Sequence, residues 1–218
     1  MRSVDDGNIK NKLVSIWPLV IFMVAFYTVD ALRIYINIGH LYVDRLVVWI
    51  VPTFLFIRFF LKQNPFDYVK LRKNIKKGVL WGTIISGVHA FIHVAFWYFW
   101  NGKVIVDWSV GFKDIWDVIL MAGFIEEIVF RGFVLGYLRN IYLFQTANII
   151  SSLLFLLAHI PYWIAWNQFA LPLPTVLYGF VFTFVMGLLE GFFLKKTNSV
   201  WTCIIHHSTN NFLAFMVK

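Results

Sequence analysis

Long apolar stretches, separated by short polar segments, follow one another along almost the whole chain. Each stretch holds about 20 residues, the length that an α-helix needs to cross the hydrocarbon core of a bilayer. The pattern therefore predicts an all-α protein, a polytopic bundle of transmembrane helices. The seven predicted spans are residues 14–36, 41–61, 78–100, 115–138, 144–166, 175–194 and 200–217.

The number of spans is predicted as seven or eight. Pro161 interrupts the fifth apolar stretch, and a proline inside a helix favours a kink or a break. Residues 169–174 can form a short extra helix. No internal repeat or Gly/Ser-rich linker divides the sequence, so residues 1–218 are expected to form one integral membrane domain.

The composition and the charge indicate a membrane as the partner and argue against nucleic acid. Of the 218 residues, 60% are apolar and only 14% are charged. The formal net charge is +8, but the basic residues gather beside the apolar spans, where they face anionic lipid headgroups. Residues 62–77 are strongly basic, which places them in the cytoplasm by the positive-inside rule. Strict alternation of the spans then puts the N-terminus in the cytoplasm too.

The fourth predicted span contains Glu126, Glu127 and Arg131, at a depth where charge is costly. Glu127 and Arg131 are four residues apart, so on a helix they are neighbours and can form an ion pair. Glu126 points about 100° away and lacks that partner. A carboxylate in this position needs polar neighbours or water, which is typical of a group that transfers protons.

Two further predicted spans place histidines among apolar residues. His159 ends the apolar run of the fifth span, and the last span holds the pairs His206–Asn210 and His207–Asn211. In each pair the histidine precedes the asparagine by one helical turn. The two pairs lie about 100° apart on the helix, so only one of them can face the glutamates.

These residue types suit hydrolysis of an amide bond without a covalent intermediate. A glutamate and a histidine can polarise a water molecule, while a second histidine and an asparagine amide can donate hydrogen bonds to a developing oxyanion. No serine in these spans has a recognisable nucleophile context, and Cys203 is the only cysteine. Nucleophilic catalysis is therefore disfavoured.

The three motifs stand in the order and rough spacing of the CAAX protease and bacteriocin-processing family, also called the Abi family. The stretch "EEIVFR" (126–131) matches EExxxR, "FLLAH" (155–159) matches FxxxH, and "HSTNN" (207–211) matches HxxxN. The resemblance covers residues 115–217. The first three spans resemble the family only in being hydrophobic.

This resemblance implies an intramembrane glutamate endopeptidase with a water-accessible cavity inside the bundle and with no metal or other cofactor. Glu126 matches the family's water-activating base, and His159 matches the residue that shares the water. Glu127 and Arg131 match the rest of the first motif, for which we expect a supporting and orienting role.

His207 and Asn211 match the pair that stabilises the oxyanion in the family. We favour this pair over His206–Asn210 because an apolar residue, Phe212, directly follows Asn211, as in many members of the family.

The small size and compact motif spacing resemble the bacterial members, which process peptide leaders or pheromones or confer immunity to a bacteriocin. A bacterial cell membrane is thus the expected location, and a peptide or lipid-anchored protein is the expected substrate. The alternative is a bacteriocin self-immunity or scaffold protein that acts by binding, without catalysis. A pure scaffold, however, has no need of an unpaired Glu126 in lipid.

A metal site is a second alternative for the polar residues of this chain. His89 and His93 are four residues apart, a spacing at which one helix face can hold zinc. No HExxH sequence accompanies them, and interhelical hydrogen bonding is the more common role of such histidines.

Other charged residues in or near the spans have simpler expected roles. Asp30 and Arg33, three residues apart, are expected to pair with each other. Arg45 is expected near a membrane interface, and Glu190 is expected to pair with Lys195 or Lys196.

Overall fold

A computed structural model describes residues 15–36 and 42–217 of the chain. The described residues are mostly helical, and the sole β-type pairing among them is an isolated bridge between Val106 and Val217. The helices are α1 (Trp17–Tyr35), α2 (Tyr42–Leu55), α3 (Pro65–Tyr68), α4 (Ile75–Asn101), α5 (112–138), α6 (Phe144–Ala165), α7 (Leu173–Thr197) and α8 (Val200–Met216).

Helix α5 is a continuous rod in which α-helical and π-helical turns alternate. Its π-helical turns are Ile115–Met121 and Ile128–Val134, and the α-helical turn Ala122–Glu127 lies between them. A further π-helical turn, Phe56–Phe60, extends α2. Such turns are frequent at functional sites because the extra residue redirects the side chains that follow it.

The predicted polytopic helical architecture is confirmed. Each predicted span overlaps one helix, although Val14 and Leu41 lie outside the described residues. Helices α1, α4, α6 and α7 are long and apolar enough to cross a membrane. Helix α6 runs through Pro161 without ending, and the proposed extra helix is a single 3₁₀ turn, Gln168–Ala170. The count of seven or eight spans stays a prediction.

The centre of the bundle is the C-terminal half of α5, which is buried on nearly every side. Phe130 of α5 packs edge-on against Phe26 of α1 and Trp49 of α2, with ring centroids 6.3 and 5.9 Å apart. The outer helices expose large apolar side chains instead, for example Phe99 of α4. Apolar side chains on the outside of the bundle suit a lipid environment. Because α5 lies at the centre, residues of the other helices can form a site by facing it.

Gly132 lets the segment after α3 approach α5 closely. A Cβ atom built on Gly132 would lie 2.6 Å from the Cβ atom and 3.1 Å from the Cα atom of Val69. The first contact is shorter than real Cβ contacts, and the second is tight and involves a backbone atom, which cannot simply rotate away. Glycine at this position therefore sets the distance between the two segments.

We expect Gly132→Ala to destabilise the protein by about 1–3 kcal/mol through overpacking. Gly87→Ala is the matched control, because a Cβ atom on this exposed glycine of α4 meets nothing within 4 Å. The control should keep or raise stability, since alanine is the better helix former. Thermal unfolding of the purified proteins in detergent measures both; equal unfolding temperatures would contradict this account of Gly132.

Candidate active site

Two consecutive glutamates of α5 face different neighbouring helices. Glu126 is 4% exposed and Glu127 is fully buried. Successive residues of a helix diverge by about 100°, so Glu126 reaches side chains of α2 and α6, whereas Glu127 reaches the next turn of its own helix. His207 of α8 lies close to both glutamates. The same short segment thus serves two sets of partners.

Glu127 is held on both sides by hydrogen-bond or charge partners. Its Oε2 atom lies 3.3 Å from Nε of Arg131, so the predicted ion pair within α5 forms. Its Oε1 atom accepts a hydrogen bond of 2.7 Å from Nδ1 of His207 on α8. The Arg131 guanidinium also lies over the ring of Phe155, 4.0 Å from its centroid. Glu127 therefore links α5 to α8 in a fixed geometry.

Glu126 has a cationic partner that the sequence analysis missed. Its Oε1 atom accepts a hydrogen bond of 2.7 Å from Nη2 of Arg45 on α2. Arg45 is 7% exposed, so it is a buried partner of Glu126 and not the simple interfacial charge that the sequence suggested. Its depth relative to a membrane interface stays a prediction. The available signal was charge balance: one arginine in the span of Glu126 and Glu127 left one carboxylate without a counter-charge.

The second oxygen of Glu126 faces two histidines. Its Oε2 atom lies 3.9 Å from Nε2 of His159 and 3.7 Å from Nε2 of His207. Both distances are too long for a direct hydrogen bond. This buried oxygen has no hydrogen-bond partner among the described residues. The three atoms therefore surround a point that one small molecule could bridge.

His159 has a defined tautomer when it is neutral. Its Nδ1 atom is 3.0 Å from the carbonyl oxygen of Phe155, and a carbonyl can only accept. Nδ1 therefore carries the proton, and Nε2 is left as an acceptor that faces Glu126. The His159 side chain is 26% exposed, against 5% for that of Glu126, so the site opens on the His159 side.

The structure distinguishes the two His–Asn pairs of α8. His207 faces both glutamates, and Asn211 lies one turn further along, where its Nδ2 atom donates a 3.0 Å hydrogen bond to the carbonyl oxygen of Val118 on α5. His206 points instead towards α7 and α4. The pair that meets α5 is therefore His207–Asn211.

A second buried polar cluster lies around His206 of α8, beside the first. Nδ1 of His206 is 2.5 Å from Oε1 of Glu190, and its Nε2 atom is 3.1 Å from Nδ1 of His89. The expectation that Glu190 pairs with a lysine at the interface is wrong, because Glu190 is 1% exposed and bonds to His206.

The possible metal ligands are engaged in other contacts. His89 bonds to His206, and His93 accepts a 3.0 Å hydrogen bond from Nε1 of Trp97. Among the described residues, one group could hold a metal ion, formed by Glu127, Glu190 and Cys203, whose ligand atoms lie within 4.8 Å of one another. Arg131, however, already supplies Glu127 with a positive charge, which opposes binding of a second cation.

A mostly apolar groove of about 490 Å³ lies between α5 and α8. Its lining contains no candidate catalytic residue. The lining residues are Ile119, Leu120, Met121, Phe124, Ile204, Ile205, Ser208, Thr209 and Phe212.

The geometry combines a carboxylate with a free basic oxygen, a histidine acceptor beside it and a second histidine tied to a buried carboxylate. Such a set can take a proton from water and stabilise a developing negative charge.

Comparisons with known proteins are consistent with this chemistry. Residues 107–213 match the family model described as type II CAAX prenyl endopeptidase Rce1-like. No curated protein and no solved structure matches the chain. The matched segment contains every sequence-predicted site residue, and Arg45 lies outside it. Residues 107–213 therefore carry a domain similar to the Rce1-like type II CAAX prenyl endopeptidases, within the CAAX protease and bacteriocin-processing family.

Proposed function

We propose that this protein is an intramembrane endopeptidase that hydrolyses a peptide bond of a membrane-associated peptide or protein with a water molecule activated by Glu126 and His159, without a metal ion. The observation that supports this proposal best is the position of the Glu126 Oε2 atom, 3.9 Å from Nε2 of His159. The two acceptors are close enough for one water molecule to donate a hydrogen bond to each.

In the first step the water attacks the carbonyl carbon of the scissile bond. Its two O–H groups point to Glu126 and His159, so a lone pair remains for the carbon. Glu126 takes one proton as the new C–O bond forms, and the carbonyl oxygen becomes an oxyanion. A positioned base of this kind contributes about 10²–10⁴-fold to the rate.

The oxyanion needs hydrogen-bond donors of its own, apart from the Glu126–His159 pair that holds the water. His207 in its protonated form donates from Nε2, while its Nδ1–H group stays bonded to Glu127 at 2.7 Å. The Glu127 carboxylate stabilises this imidazolium, and Arg131 balances the charge of Glu127. Asn211 donates one amide N–H to Val118, which leaves the other N–H for the oxyanion.

The second step breaks the C–N bond. Glu126 returns its proton to the leaving nitrogen, and the oxyanion collapses to a carboxyl group. The carboxyl group then gives its remaining proton to the released amine, so the products are a carboxylate and an ammonium group, and Glu126 is again ionised. No covalent enzyme intermediate forms.

The protein works in a membrane, and we place it in a bacterial cell membrane with its N-terminus in the cytoplasm. Residues 62–77, which include α3 and the start of α4, hold six basic residues, among them Lys70, against one acidic residue, Asp67. Such a segment remains on the cytoplasmic side. The substrate is a peptide or a lipid-anchored protein that reaches the site from the membrane or its surface.

Glu126→Gln should abolish peptide cleavage while the protein stays folded, because Gln keeps the shape of the side chain and removes the base. We expect a fall in kcat of at least about 10²-fold. Glu190→Gln is the matched control, since Glu190 is a buried glutamate that bonds to His206 and not to Glu126 or His159; it should keep kcat within about tenfold of wild type. Purified variants in detergent, a library of membrane-tethered peptides and mass spectrometry provide the assay.

The remaining outcomes of this assay are also informative. If wild type and Glu126→Gln cleave equally well, the base lies elsewhere. If neither cleaves and Glu126→Gln keeps the cellular phenotype, the protein acts by binding, as an immunity or scaffold protein would.

His207→Gln and His206→Gln test the orientation of α8. We expect His207→Gln to lower kcat by at least about 10²-fold, because the oxyanion loses its donor. His206→Gln, one residue away, should keep kcat within about tenfold of wild type. A larger loss in His206→Gln than in His207→Gln, with both proteins folded, would show that the wrong pair has been assigned.

Peptide cleavage should persist after prolonged dialysis against a metal chelator at saturating concentration. The reason is that the proposed base, donor and counter-charges are all side chains. The same assay, with and without added zinc, measures this. Loss of cleavage on chelation and its return with zinc would exclude the proposed mechanism.

A further inference from the structure

Helices α1 and α2 lie outside the matched family segment, yet they supply a side chain that bonds to Glu126. We propose that Arg45 is a positioning residue for catalysis: it holds Oε1 of Glu126 so that Oε2 alone serves as the base. Arg45 is held in place in turn by aromatic and acidic side chains of α1, α2 and α6. This inference rests on the proposed function of Glu126.

The hydrogen bond from Arg45 to Glu126 joins residues that are 81 positions apart, at 2.7 Å. The Arg45 guanidinium lies between two aromatic rings: its carbon is 4.0 Å from the ring centroid of Trp49 and 5.0 Å from that of Tyr162. A planar guanidinium stacks well on aromatic faces and keeps its N–H groups free in its own plane. With the rings against its face, the Arg45 guanidinium directs its N–H groups at Glu126.

Asp30 of α1 fixes these rings from behind. Its Oδ1 atom accepts a hydrogen bond of 2.8 Å from Nε1 of Trp49 and pairs with Arg33, as predicted, at 3.1 Å. Arg33 also donates to the hydroxyl of Tyr162 on α6. Asp30 is 2% exposed and Trp49 is fully buried, so the hydrogen bond between them is shielded from solvent. Each of the two aromatic rings beside Arg45 is thus held by a hydrogen bond to a charged side chain of α1.

The consequence for Glu126 concerns both geometry and charge. A carboxylate with two free oxygens can rotate and present either of them to water. Because Oε1 is hydrogen-bonded to Arg45, Oε2 is the oxygen that faces His159 and His207. An ionised glutamate inside a bundle also needs a counter-charge, and Arg131 is already paired with Glu127.

A purely structural role for Arg45 would be to hold α2 against α5. That role predicts lower stability in variants but normal turnover in the molecules that remain folded. A positioning role predicts a lower kcat at unchanged KM, because the substrate need not contact Arg45.

The experiment compares Arg45→Met, Arg45→Lys and the control Arg58→Met, which removes an exposed arginine from the end of the same helix. We expect Arg45→Met to lower kcat by about 10²-fold with KM within about twofold of wild type. Arg45→Lys, which restores the charge, should exceed Arg45→Met at least about tenfold, and Arg58→Met should match wild type. Normal kcat in folded Arg45→Met, or no gain from lysine, overturns the inference.

A second measurement does not depend on peptidase activity. In a double-mutant cycle of thermal stability, Arg45→Met should destabilise the Glu126→Gln protein less than it destabilises wild type, because the charge partner is already gone. Equal losses in both backgrounds overturn the inference. If wild type cleaves no peptide, the proposed function fails, while this cycle still decides whether Arg45 and Glu126 are coupled.

Discussion

The neutralisation of two buried carboxylates is the constraint on which the rest of this structure depends. An unpaired charge inside a membrane bundle is costly, so each glutamate requires a cation close by. Arg131 supplies it from the same helix for Glu127, and Arg45 supplies it from α2 for Glu126. Removing one partner of such a pair leaves a buried charge, which destabilises the fold more than the pair itself stabilises it. The charge balance of the site and the packing of the helices therefore depend on each other.

Glu126 and Glu127 are adjacent residues of the same type, but their carboxylates have different surroundings. Both oxygens of Glu127 meet a positive or donating group, which makes it a fixed anchor for His207. Glu126 has one oxygen bonded and one that faces two imidazoles at non-bonding distance. The division follows from the angle between successive side chains on a helix. In the proposed mechanism, the same angle lets one short motif hold both the base, Glu126, and the carboxylate that orients His207.

The doubled histidines of α8 have a parallel explanation. His207 faces α5, whereas its neighbour His206 bonds to Glu190 of α7 and His89 of α4. The second cluster connects three helices through two hydrogen bonds and satisfies polar groups that lipid could not. A buried polar network of this kind favours one register of α8 over a register shifted by one residue, because a shift would put Ile205 or Ser208 at one of the two histidine positions.

The sequence by itself determined the apolar helices, the Glu127–Arg131 pair and the resemblance of the C-terminal half to the family. Each of these depends on local spacing: apolar runs of about 20 residues, or side chains one turn apart on a helix. Only the tertiary structure decided that Arg45 meets Glu126, that His207 and not His206 faces α5, and that Glu190 is buried beside His206. The physical reason is that helix periodicity relates residues within a few turns. Which faces of distant helices meet depends instead on the packing of the whole bundle, where close approach at a glycine and charge balance in lipid select one arrangement.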